Sequence, residues 1–259
     1  MLTYILLDEY LGIDRVSCIT GKEYSLEEKH LAKIDLAVER LKKYEPIQYI
    51  TGKSYFSGRE FFVRQGVLIP RPETEELILL VKNRNNVTRP SLMDIGCGSG
   101  CIAVTLALEI PDSRVYALDK SIQSAVITRF NARRLAASVQ VFHYDIFQEG
   151  WPFPVFDILI SNPPYVTESE KVTMKPNVLK YEPAEALFVP DDNPIRYYQR
   201  IVELTKTGLK PGGLLIFEIN ENFGREIFDL MNSEGFQDVR ILKDIHGKER
   251  FAFGRRAFL

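Results

Sequence analysis

Asp94-Ile95-Gly96-Cys97-Gly98-Ser99-Gly100 is the stretch that decides the fold of this chain. The apolar Leu92-Met93 leads into it, and Cys101 to Glu109 follows as a helix stopped by Pro111. Strand, glycine-rich turn and helix in that order open a doubly wound sheet, whose ligands bind beyond the carboxyl ends of the strands. The glycines allow a tight turn and a ligand approach with no Cβ in the way. The turn does not fit the common phosphate loops. A dinucleotide loop needs glycine where Cys101 stands, and a Walker loop needs a Gly-Lys-Ser/Thr that is missing. An acid just before the glycines suits a ligand bearing cations and hydroxyls.

Downstream, strands and helices alternate. Strands are expected at Arg114 to Asp119, Val139 to His143, Phe156 to Ser161 and Gly213 to Ile219. Helices are expected at Ser121 to Arg134, with Ser121 as N-cap, and at Ile195 to Thr205 and Phe223 to Ser233. Repeated β-α-β units imply a parallel sheet covered on both faces. Val239 to Leu242 and Arg250 to Phe253 have no helix between them and imply a closing antiparallel pair. Upstream, helices are expected over Leu2 to Leu11 and after a capping box of Ser25 and Glu28. Leu31, Ile34, Val38 and Leu41 give the second helix one apolar face. Ser54 to Phe56 and Glu60 to Val63 read as a hairpin about Ser57-Gly58. Pro72 then suits the first turn of a helix, and Glu73, Glu75 and Glu76 its positive end.

Two further carboxylates end strands on the same side as the glycine turn. Asp119 lies about 20 residues beyond Gly96, where an acid accepts from ribose hydroxyls. Asp145 is placed to accept from an adenine amino group, with Ile146 against the ring face. S-adenosylmethionine combines adenine, ribose, an ammonium and a sulfonium. The most specific signal is Ser161-Asn162-Pro163-Pro164-Tyr165. Consecutive prolines lack N–H groups and restrict φ. The Asn162 side-chain oxygen and the following carbonyl can then face one planar NH₂ group, with the Tyr165 ring as a stacking surface. Such acceptors orient a delocalised, poorly nucleophilic nitrogen for in-line methyl transfer at about 3–3.5 Å. No Ser/His/Asp or Cys/His arrangement competes.

Composition bounds the alternatives. At ~150 residues per domain, 259 residues make one large domain with an appendage, or two modest ones. The net charge of −2 lacks the basic excess of a domain that grips long nucleic acid. Cys18, Cys97 and Cys101 form no disulfide framework or zinc pattern, and His30, His143 and His246 show no ligand spacing. No metal site is expected. No apolar stretch approaches ~20 residues, and Asp8 and Glu9 interrupt the apolar start, so no membrane association is expected and the cytoplasm is.

The motifs together resemble the HemK/PrmC glutamine N5-methyltransferases, which modify peptide chain release factors. The likeness runs from Glu45-Pro46-Ile47-Gln48-Tyr49-Ile50 to the C-terminus. It includes Leu68-Ile69-Pro70-Arg71-Pro72-Glu73-Thr74-Glu75, Tyr181-Glu182-Pro183, Ala186-Leu187-Phe188, Phe217-Glu218-Ile219, and Asp244 through Gly247 to Arg250. Val189 to Pro194 and Asn220 depart from the family's glycines. The resemblance implies an α/β, Rossmann-like class I S-adenosylmethionine-dependent methyltransferase sheet with an antiparallel last strand. It also implies a small N-terminal helical recognition domain (1–48), a β-hairpin linker (49–71) and a methyltransferase domain (72–259). Asp94, Gly96, Cys97, Gly98, Ser99, Gly100, Asp119, Asp145, Ile146 and Asn162 are the expected cofactor residues. Asn162, Pro163, Pro164 and Tyr165 are expected to carry the chemistry, with Arg71, Glu73 and Thr74 completing the substrate wall. The implied substrate is the glutamine of the release-factor Gly-Gly-Gln tripeptide, and no stable nucleic-acid binding is expected. Methylation of adenine N6 or guanine N2 is the alternative, since both are planar amino groups. A non-enzymatic scaffold is the third.

Overall fold

The computed structural model describes residues 2–20 and 22–258. Met1 and Leu259, where the first and last expected domains begin and end, lie outside the described residues. Four helices come first: α1 (Leu2–Leu11), α2 (Arg15–Ile19), α3 (Glu28–Lys42) and α4 (Ile47–Thr51). Leu6, Ala37 and Ile50 form a small core between them, joined by Tyr10, Val38, Leu41 and Ile47. The Ser25 capping box does not form. Helix α3 starts at Glu28 with Glu27 as N-cap and no side-chain bond to the cap. Leu26 and Leu31 are both exposed, so nothing packs on an earlier turn, and an unsupported first turn is costly to nucleate. Leu31 therefore leaves the expected apolar face.

Strands β1 (Lys53–Phe56) and β2 (Arg59–Phe62) pair antiparallel, with Phe56 opposite Arg59. The two residues between them, Ser57 and Gly58, both have positive φ, as a two-residue hairpin matched to strand twist requires. After the turn Pro72–Thr74 comes α5 (Glu75–Arg84). The main domain then runs β3 (Ser91–Ile95), α6 (Cys101–Glu109), β4 (Arg114–Asp119), α7 (Ile122–Arg134), β5 (Val139–His143) and β6 (Phe156–Ser161). Next are β7 (Val166–Thr167), α8 (Pro176–Tyr181), β8 (Phe188–Val189), α9 (Arg196–Gly208) and β9 (Leu209–Glu218). Helix α10 (Gly224–Ser233), β10 (Phe236–Lys243) and β11 (Glu249–Arg256) close the chain.

Seven strands form one sheet in the order β10-β11-β9-β6-β3-β4-β5. β11 is antiparallel to both its neighbours, and the pairs from β9 to β5 are parallel. Residues of α5 and α6 pack with the hairpin phenylalanines Phe56 and Phe61 in one core. Residues of α9 and α10 pack in the other. Helix α6 is buried from Cys101 to Leu106, which its all-round apolar sequence requires. Strand β9 begins at Leu209, four residues before the expected Gly213, because Pro211-Gly212 is carried inside the strand at a register shift rather than ending it. None of the described helices is long and apolar enough to cross a membrane.

After β3 the chain builds β4 and β5 on one side, then returns to place β6 on the other side of β3. That reversal makes the β3/β6 junction a crevice at the carboxyl ends, where such sheets bind ligands. The hairpin is tied to this junction through one residue. Asn131 of α7, wholly buried, accepts from Phe62 N at 2.8 Å and donates to Phe62 O at 2.9 Å and Ser99 O at 2.8 Å. It joins the linker to the glycine turn. Asn131→Ala leaves the buried Ser99 O and the half-buried Phe62 N and O without this partner, and we expect a loss of about 3 kcal/mol. Urea unfolding checks this, and a midpoint equal to wild type would show that water substitutes for the side chain.

Candidate active site

The crevice is a cleft open to solvent, with about 1040 Å³ of space within it and at its mouth. Gly96, Cys97, Gly98 and Ser99 form its floor, Asp119, Asp145 and Ile146 one wall, and Asn162, Pro163 and Pro164 another. Arg71 and Thr74 reach it from the linker side. Four of the expected residues do not line it: Asp94, Gly100, Glu73 and Tyr165. Glu73 is half-buried in the turn Pro72–Thr74, and the other three have places described below.

The glycine turn is pinned by β4. Gly96 N and Cys97 N both donate to Leu118 O, at 2.9 and 3.0 Å, so the turn curls over the neighbouring strand. Gly96 has φ +80°, and a Cβ there would meet open space, so glycine serves the backbone turn and the approach of a ligand. Gly100, at φ +82°, is different. A Cβ there would stand 2.8 Å from Thr128 Cγ2, so this glycine lets α7 close on the turn and does not face the cleft.

Asp119 Oδ2 accepts from Gly98 N at 2.9 Å and Oδ1 from Ser121 N at 2.8 Å. The carboxylate is thereby fixed in the cleft wall, with each oxygen keeping a further lone pair. Burial pushes its pKa up. Asp145 Oδ1 accepts from Phe147 N at 2.9 Å, a turn bond that settles its direction. Asp94 lies beneath the turn, fully buried. Its Oδ2 accepts from Ala103 N at 3.1 Å, while its Oδ1 has no partner among the described residues. Burial pushes its pKa up to about 7.

These groups fit S-adenosylmethionine. An unpartnered buried carboxylate oxygen under the turn and two acids in the wall favour a cation with hydroxyls. The cations at the cleft are already paired: Arg71 with Glu182 at 2.7 Å and Lys120 with Glu185 at 3.8 Å. A phosphate ligand would find no free cation among the cleft's described residues.

Strand β6 delivers the proline motif. Ser161 pairs with Ile95 across the sheet, and Ser161 Oγ donates to Ile95 O at 2.6 Å, locking the ends of β3 and β6 together. Asn162 thus emerges next to the glycine turn. Pro163 O accepts no hydrogen bond among the described residues. Tyr165 does not present its ring to the cleft, which corrects the stacking role expected of it. Its hydroxyl donates to Glu218 Oε1 at 3.1 Å, Asn220 Nδ2 donates to its carbonyl at 3.0 Å, and the ring packs into the core. The capping box absent from α3 occurs here, between Thr167 and Glu170.

Two buried carboxylates were not among the expected site residues. Glu182 accepts from Arg71 and, at 3.1 Å, from Ile69 N, clamping the linker to the loop before β8. Glu218 accepts from Thr74 Oγ1 at 2.7 Å and from Tyr165. The sequence carries a signal for Glu218: an acid at the end of the apolar run Leu214 to Phe217 must be buried and partnered.

Asp94 carries a pH consequence. Between the ordinary value of 3.8 and about 7, folded Asp94 keeps a proton that the unfolded chain has lost. Its contribution to stability therefore falls as pH rises through that window and is level above it. Asp94→Asn should flatten the decline of unfolding free energy from pH 4 to pH 7, measured by urea titration. A decline as steep as wild type would assign it to another group.

Residues 75–182 match the model "Methyltransferase small domain", and residues 2–52 match "PrmC N-terminal domain". A release factor glutamine methyltransferase of Bacteroides thetaiotaomicron is 44% identical over 256 residues, covering 98% of this chain and 92% of that protein. One of Bacillus subtilis is 37% identical over 250 residues, covering 92% and 85%. Among solved structures, a methyltransferase of Pyrococcus furiosus aligns with TM-score 0.57 at 17% identity, covering 90% of this chain and all of that one. The 16S rRNA N2 G1207 methyltransferase of T. thermophilus, in complex with AdoMet and guanosine, aligns with TM-score 0.55 at 18% identity, covering 79% and 49%. The last two show likeness of fold.

Proposed function

The chain belongs to the release factor glutamine methyltransferase family, and we propose that it methylates the side-chain amide nitrogen of the Gly-Gly-Gln glutamine in peptide chain release factors. The observation that supports this chemistry is the acceptor pair beside the glycine turn: Asn162 Oδ1 and Pro163 O, neither with a donor of its own among the described residues. When bound, S-adenosylmethionine supplies an electrophilic methyl group. The chain supplies orientation. Two acceptors take the two protons of a planar NH₂ and turn its nitrogen toward the methyl group, and holding the reactants in line accounts for much of the rate. Asn162 is a neutral amide and removes no proton before attack. The nitrogen becomes acidic as its bond to carbon forms, and its proton then leaves.

Asp119 holds ribose hydroxyls, Asp145 and Ile146 flank the adenine, and Asp94 under the turn offsets the positive charge above it. Pro163 and Pro164 keep the acceptors in place, while Arg71 and Thr74 border the substrate end. Residues 1–48 serve recognition and 49–71 link them to the catalytic domain 72–259. The exposed apolar Val16, Ile19 and Leu36 support a protein partner for the helical segment. The near-neutral net charge of −2 supports protein over long nucleic acid, in the cytoplasm.

Asn162→Ala should lower kcat by about 100-fold or more, as loss of a positioned polar group does, with cofactor affinity kept within a few-fold. Asp119→Ala should do the reverse, mainly weakening cofactor binding. Equal loss of cofactor binding by both would refute these roles. Transfer of labelled methyl groups to purified release factor, duplex DNA and rRNA tests the substrate, with mass spectrometry locating the gain on the Gly-Gly-Gln peptide. Label on DNA or rRNA with unlabelled release factor overturns the reading.

A further inference from the structure

Asn162 can present either end of its amide, and only one end suits a substrate NH₂. Its Nδ2 makes one hydrogen bond among the described residues, to Thr74 Oγ1 at 3.4 Å. That hydroxyl has a single proton, which it gives to Glu218 Oε2 at 2.7 Å. That bond commits the Thr74 proton and leaves Oγ1 as an acceptor. Tyr165 OH occupies the other carboxylate oxygen at 3.1 Å. If the amide turned over, Asn162 Oδ1 would face Thr74 Oγ1, acceptor against acceptor.

We propose that Glu218, acting through Thr74, is a positioning pair that fixes Asn162 with Nδ2 on Thr74 and Oδ1 free for the substrate amide. This rests on the reading of Asn162 as substrate acceptor. The fold builds the chain of contacts from three separate elements. Ser161 pairs with Phe217 across the sheet, so Asn162 and Glu218 each stand one residue beyond the same rung. The turn Pro72–Thr74 inserts its last residue between them. Glu218 and Thr74 are 1% and 2% exposed, so water does not compete for the bond between them. Tyr198 OH, donating to Glu218 O at 3.1 Å, holds the strand end. Burial pushes the Glu218 carboxyl up, and the hydroxyls of Thr74 and Tyr165 and the charge of Arg250 oppose it. Neither Glu218 nor Tyr165 borders the cleft, so their contribution passes through Thr74 and Asn162.

Two measurements test the pair. In the ligand-free protein, the Asn162 side-chain NH₂ should exchange with water more slowly in wild type than in Thr74→Val, its signal identified by its loss in Asn162→Asp. This readout needs no substrate. In methyl transfer to release factor, Thr74→Val should lower kcat by about tenfold or more, within the range that misplacement of a reacting group produces. KM values and cofactor Kd should stay within a few-fold, and Thr74→Ser should restore kcat. Glu218→Gln offers one acceptor oxygen to two hydroxyls, so alone it should lower kcat with cofactor affinity kept. Added to Thr74→Val it should cost nothing further, because both act through one chain. A folded Thr74→Val with wild-type kcat and exchange overturns the proposal, as does a Thr74→Ser as poor as Thr74→Val. Should Thr74→Val not fold, Glu218→Gln decides: unchanged kcat and unchanged Asn162 exchange overturn it. Failure of wild type to methylate release factor would fall on the substrate assignment, and the exchange comparison would still judge the pair.

Discussion

The register between β3 and β6 is the constraint on which the rest depends. Ile95 and Ser161 pair as the last rung of the two strands, and the serine hydroxyl fastens to the isoleucine carbonyl. The residues that follow are Gly96 on one strand and Asn162 on the other. A slip of one residue would invert every side chain along β6, sending its buried Ile158 and Ile160 from one core to the other. The two hydrophobic cores, one on each face, therefore enforce the juxtaposition of the glycine turn and the proline motif at the strand ends. That alignment is a by-product of packing that stability demands.

Much of this was legible in the sequence because strand ends in this fold are marked by residues that break the apolar pattern. Asp119 and Asp145 end strands or their extensions, and the glycines and prolines announce turns with few alternatives. The boundaries of β4, β5 and β6 followed from alternation bounded by such markers. What was not legible was contact between distant segments. Tyr165 has the look of a stacking residue in its motif, yet its hydroxyl is claimed by a carboxylate 53 residues later. Gly100 looks like its neighbours in the turn, yet it answers to Thr128 on another helix. The failed cap at Ser25 has the same origin. A local signal specifies a helix start only where tertiary packing supports the first turn, and the exposed Leu26 and Leu31 provide none.

The buried carboxylates show how polarity is distributed around the cleft. Asp94 sits under the glycine turn with one unpartnered oxygen, whereas Glu182 and Glu218 have their hydrogen-bond partners within the chain. The first keeps an oxygen for which the described residues supply no donor. The other two are structural in the sense that they hold Arg71 and Thr74 at defined places. The same residue type thus serves two ends, and the difference lies in whether the chain itself supplies the donors.

Asn131 ties the hairpin backbone and the glycine turn with one side chain. Its consequence concerns how such a protein can be rebuilt or can diverge. Phe62 and Phe130 also stack edge to face at 5.1 Å, and Arg134 grips Glu60, so the hairpin and α7 are a matched pair. A helical segment grafted from a relative would carry its own hairpin into a foreign α7 and lose this match. Hairpin and α7 must travel together, and Tyr49 of α4 goes with them, buried with Val63 and Ile69 and donating to Val67 O. The helices ahead of this seam can thus vary in evolution, while the seam itself is inherited with the main domain.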